Sequence, residues 1–135
     1  MAKRDTTALS AAQAKRIGAL VEAAWAQFDQ VVKGAPAALR KGPRGGGRDR
    51  DKIVDHVLGA ESAYARKLGL RLTVPDRHDA ARIKLFRKAL VDALEKPSGG
   101  KAPVGKGWRQ RYAARRIAWH VLDHAWEIED RSEPI

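Results

Sequence analysis

The chain has 135 residues, no cysteine, 44% hydrophobic residues and a formal net charge of +11. That length suits one domain with one core, and the missing cysteines exclude disulfides and a thiolate nucleophile of the protein's own. No apolar run approaches the roughly 20 residues of a membrane helix, and MAKRDTTALS lacks the apolar stretch of a secretory signal, so a cytoplasmic protein with no membrane partner is expected.

Abundant alanine and few β-branched residues favour helix. After a tail over 1–9, Ser10 with Gln13 three residues on forms a capping-box pattern. It opens a first helix over 10–32, with Ile17, Leu20, Val21, Ala24, Trp25, Phe28, Val31 and Val32 as its buried face. Gly34 and Pro36 end it. The connection over 33–48 carries GPRGGGR and is long for a compact bundle. A disordered loop, a functional loop and a crossover all fit it. No Gly-Lys-Ser/Thr follows, so it is not a Walker A loop. Its backbone amides, with Arg44 and Arg48 beside a helix start, suit a phosphate or carboxylate; a plain flexible loop is the other reading.

The second helix is expected over 49–68, with Asp49 as N-cap and an apolar stripe of Ile53, Val57, Ala60, Tyr64 and Leu68. RLTVPD reads as an extended linker. Asp76 is expected to cap a third helix over 77–94, with Ile83, Phe86, Ala89, Leu90 and Leu94 inward. KPSGGKAPVGKG breaks the pattern, a fourth helix follows over 108–130, and 133–135 form a short tail. The fold class is all-α: one left-handed four-helix bundle over 10–132, with a long Gly-rich connection between helices one and two.

The fourth helix contains RRIAWHVLDHAWEIEDR, with His120 and His124 four residues apart. A helix turns about 100° per residue, so the two rings lie about 40° apart on one face. That spacing lets two imidazoles share one metal ion; an ordinary surface pair uses it equally well. Both histidines sit on the seam between an apolar arc and a polar one, and His56 sits beside the stripe of helix two. Three neutral imidazoles from two helices make a site with an open position, and open sites do chemistry. His78, just after Pro75-Asp76-Arg77, reads as structural or exposed. Helices two and four must then face each other for the rings to meet.

The stretch RKGPRGGGRDRDKIVDHVLGAESAYARKLG, with the closing RRIAWHVLDHAWEIEDRS, resembles the DinB-like superfamily of four-helix metalloproteins, over about residues 10–132. The resemblance implies that His56, His120 and His124 bind a divalent metal. The superfamily includes thiol-dependent transferases, an isomerase and presumed hydrolases, so the resemblance leaves the reaction open.

Three functions compete. The first is a metalloenzyme: zinc or nickel with open positions serves hydrolysis, or transfer of a low-molecular-weight thiol. Glu127 lies one turn beyond His124 and is the candidate second-sphere partner or general base, with Asp123 next. A surface carboxylate paired with Arg131 is the plain alternative for Glu127. The second is a basic bundle associated with nucleic acid, which the charge supports; no helix-turn-helix or zinc-finger spacing accompanies it, and the aromatics read as buried. The third is a non-catalytic assembly protein, a homodimer joined through Trp119, Leu122 and Trp126, although core is the favoured reading of that stripe.

Charge distribution bears on the choice. Arg40, Lys41, Arg44, Arg48, Arg50 and Lys52 cluster before and into helix two; Lys101, Lys106, Arg109, Arg111, Arg115 and Arg116 cluster before and into helix four. The basic start and acidic end of helix four oppose its dipole, which compensating neighbours or a functional mouth would explain. If helices two, three and four alternate in direction, two and four run parallel and both clusters converge on the metal end. Arg44, Arg48 and Arg116 would then receive an anionic small molecule.

Overall fold

The computed structural model describes residues 10–41, 48–96, 102 and 107–132. The described residues form four helices and no strand: α1 (Ala11–Gly34), α2 (Arg50–Lys67), α3 (Ala80–Leu94) and α4 (Gln110–Ser132). The tails 1–9 and 133–135, Arg44 and the rest of 42–47, and most of 97–106 lie outside the described residues.

Side-chain caps start α1 and α3, the second with a correction. Ser10 accepts from the Gln13 amide, and the Gln13 side chain accepts from the Ser10 amide, so both halves of the capping box are made. Asp79, not Asp76, caps α3, accepting from the Arg82 amide at 3.0 Å. Asp76 instead accepts from the His78 amide in the turn before it. Asp49 stands at the N-cap of α2 but turns its carboxylate backwards, to the Leu39 amide and the Lys41 ammonium.

The directions of the helices follow from contacts at their ends. The connection after α2 runs back along it: Leu70 bonds to Ala65, Ser62 to Leu72, and Arg77 to Asp55. α3 therefore starts beside the start of α2 and runs parallel to it. Arg87 bonds Asp29, so α3 passes antiparallel to α1. Gln110 donates to Ala93 and Lys96 carbonyls, which places the start of α4 at the end of α3. At the other end the Arg40 amide donates to the Arg131 carbonyl. The order is up, down, down, up, with the crossover at 68–79.

α2 and α4 thus pack directly but antiparallel. The expected parallel arrangement is wrong, because 68–79 travels the length of the bundle instead of turning at its end. The described members of the two cationic clusters consequently lie towards opposite ends of the α2–α4 pair. The reversed charge of α4 finds its neighbours: Arg40 meets Asp130 at 3.2 Å, and Arg48 meets Glu127 at 3.9 Å.

The core is largely aliphatic, with Ile53, Leu58, Leu90, Leu94, Ile117 and Ile128 fully buried and Trp25 and Phe28 from α1 against them. Three inward assignments fail. Leu20 is 51% exposed, Trp119 75% and Trp126 62%. The tryptophans flank the apolar arc of α4, while Ala114, Ile117, Ala118, Val121, Ala125 and Ile128 occupy its centre. Among the described residues no helix is long and apolar enough to cross a membrane.

Candidate metal centre

His56 comes from the middle of α2, His120 and His124 from successive turns of α4. Each is carried by its apolar neighbours. Val57 and Ile53 bury one side of α2, and Val121, Ile117 and Ala125 bury one side of α4, so the histidines fall on the adjoining edges. The three ring centroids lie 4.5 to 5.2 Å apart, and candidate ligand atoms of all three lie within 4.8 Å of one another. His78 is exposed and takes no part.

The Nε2 atoms of His56 and His120 are 3.3 Å apart. Two nitrogens in tetrahedral positions about 2.0–2.1 Å from one zinc ion lie about 3.3–3.4 Å from each other. The donor set therefore fits a divalent ion; without one, the same distance suits a ring N–H donated to a ring nitrogen. Glu127 orients the third ring. Its Oε1 lies 2.8 Å from Nδ1 of His124, accepting that proton and leaving Nε2 as the lone-pair atom. Support is uneven, for Nδ1 of His120 is buried without a partner.

Burial and neighbouring charges favour the neutral form of His120 and His56. Burial pushes His120 down to about 4, with His124, His56 and Arg116 adding to the effect. Burial also lowers His56, with Arg48 and then His124 assisting. Neutral imidazole is the form that ligates metal.

Arg48 and Arg116 reach the histidines from opposite sides. Arg48 pairs loosely with Glu127 at one side. At the other, the Arg116 guanidinium lies over the rings of Tyr64 and Trp108, at 6.0 and 5.8 Å. Asp123 is exposed and lines a groove shared with His120 and Arg116. Arg44 lies outside the described residues.

Two functional-looking groups escape the sequence reading. Glu61 is fully buried in the core, where its carboxylate accepts from the Trp25 indole at 2.6 Å. Burial raises its pKa to about 7, against the smaller opposing effects of that bond and of Arg87. A signal existed: Glu61 sits in the i+4 series Ile53, Val57, Glu61, Ala65. Gln110, also buried, closes the end of α3.

No protein-family model matches this chain, and no match was found among curated proteins or solved structures.

Proposed function

We propose that this chain is a DinB-like metalloprotein in which His56, His120 and His124 hold one divalent ion, zinc or nickel. On this reading it is a metal-dependent hydrolase or a low-molecular-weight thiol transferase acting on an anionic small molecule. The observation that carries the reading is the 3.3 Å spacing of two Nε2 atoms, with a third imidazole alongside.

Three protein ligands leave at least one coordination position open. An ion held there supplies Lewis acidity, which brings ionisation of a water or a thiol towards neutral pH. The protein's own residues do the rest. Glu127 holds the proton on Nδ1 of His124 and so keeps the ring turned to the other two. Arg48 and Arg116 supply positive charge on either side for an anionic substrate. Asp123, beside His120 and without a hydrogen-bond partner among the described residues, is the candidate proton acceptor. A reacting thiol comes from solution, since the chain has no cysteine.

Elemental analysis of the purified protein tests this. We expect about one equivalent of a divalent metal, in keeping with a single three-histidine site. His120→Ala should lose most of it and retain its helical circular dichroism, because His120 lies outside the core. Unchanged metal content in that variant refutes the ligand assignment. The charge of +11 favours a second reading, nucleic-acid binding. Tight duplex-DNA binding at physiological salt, weakened evenly by substitutions in both basic clusters, would favour it instead.

A further inference from the structure

His120, alone of the three histidines, lines a groove of about 620 Å³ with Tyr64, Arg116, Trp119, Leu122, Asp123 and Trp126. That volume lies within the range of small-molecule sites, roughly 300–1,000 Å³. Its walls are unusual for a helix surface. Trp119 and Trp126, two turns apart on α4, are 75% and 62% exposed and form one apolar strip with Leu122 between them. At one end stands Arg116, held over the Tyr64 and Trp108 rings and without a carboxylate partner among the described residues. Seven residues and roughly 10 Å along the helix, short of Trp126, stands Asp123. His120 lies between them, its ring edge-on to Tyr64 at 5.6 Å.

We propose that this groove binds an aryl-substituted aliphatic carboxylate, its ring on the Trp119–Leu122–Trp126 strip and its carboxylate on Arg116. The inference rests on the metal reading only in making this ligand the substrate; the groove itself is built from other side chains. An acid chain tethered at Arg116 passes over His120, which puts its carbon skeleton beside one ring of the trio. Asp123 repels a second negative charge, so the groove selects a monoanion. A second copy of this chain is the competing occupant. The two exposed indoles offer roughly 300 Å², well short of the ~800 Å² per partner of a standard interface, and Arg116 and Asp123 border the strip with charge.

The test uses 4-phenylbutyrate, 4-phenyl-1-butanol and butyrate. Each is titrated into metal-free and zinc-loaded protein, followed by tryptophan fluorescence and calorimetry. We expect 4-phenylbutyrate to bind both forms and the other two to bind at least about tenfold more weakly, from the loss of a charge-assisted contact or of the ring. Arg116→Gln should abolish the preference for acid over alcohol. Trp119→Ala should weaken all aryl binding, and both variants should keep their circular dichroism, since both side chains are exposed. Zinc binding at one equivalent without phenylbutyrate binding, or equal binding of acid and alcohol, overturns the groove and leaves the metal reading intact. Phenylbutyrate binding with these dependences in a protein that binds no zinc upholds the groove and ends the metal reading. A dimer that Trp119→Ala dissociates, with no probe bound, makes the strip a self-interface and overturns the proposal.

Discussion

Glu127 is the residue on which the geometry of the trio turns. It is the only carboxylate among the described residues that hydrogen-bonds any of the three rings, and Arg48 steadies it from behind. Removing such a partner typically costs 10- to 100-fold in metal affinity. Glu127→Ala should therefore weaken zinc binding by about that factor in chelator competition, and Glu127→Gln, which keeps an acceptor, by less. Equal affinity in all three proteins would show that His124 needs no orienting group. Much at this scale is readable before folding. His120, His124 and Glu127 lie at spacings of three and four on one helix, and helical periodicity alone brings those three together. The placement of Arg48 beside Glu127 is not readable, because it depends on how α2 meets α4.

At the scale of the elements, local signals locate the four helices well and their starts less well. α3 shows why. Asp76 and Asp79 are both competent caps, and the choice is made by the turn in which the Asp79 amide bonds the Asp76 carbonyl. In that turn the Asp76 carboxylate is taken by the His78 amide. Losing a side-chain cap costs about 1 kcal/mol. Asp79→Ala should lower the urea midpoint accordingly, and Asp79→Asn should restore most of it. An Asp79→Ala protein as stable as wild type would mean that the α3 terminus is satisfied by solvent. The tryptophans of α4 were illegible for a different reason. Periodicity measures apolarity around the helix and not depth, and a wide apolar arc contains both core and flank. Only the partners of α4 decide where the one ends and the other begins.

At the scale of the whole molecule, a charge buried in the core makes stability depend on pH. Glu61 has its pKa raised to about 7 in the fold, from an ordinary 4.5. The folded protein therefore holds a proton there that the unfolded chain releases. This contribution is fully present below pH 4.5 and is lost as pH rises through about 7. Glu61→Gln removes the titration. Relative to that variant, wild type should lose on the order of 3 kcal/mol between pH 4.5 and 8, by urea unfolding of metal-free protein. The histidines are common to both proteins and cancel in the difference. Parallel curves would show that Glu61 stays ionised in the core. Topology was the least legible property at this scale. Twelve residues of connection, 68–79, can span an 18-residue helix of about 27 Å when extended. Composition does not say whether they do so or fold into a wide turn. The Ser62 and Arg77 contacts that settle the matter are long-range.

One consequence of this topology concerns how the chain reaches its native state. The first helix packs most extensively on the last, and the crossover must be laid down between them. During synthesis α1 leaves the ribosome with its apolar face bare: α2 and α3 come to flank Trp25 and Phe28, and α4, the most extensive partner of α1, is made last. Helical proteins usually gain speed from local contacts, whereas this one must close its longest loop to bury its first helix. The nascent chain thus passes through a stage in which an amphipathic helix waits uncovered, when self-association competes with folding.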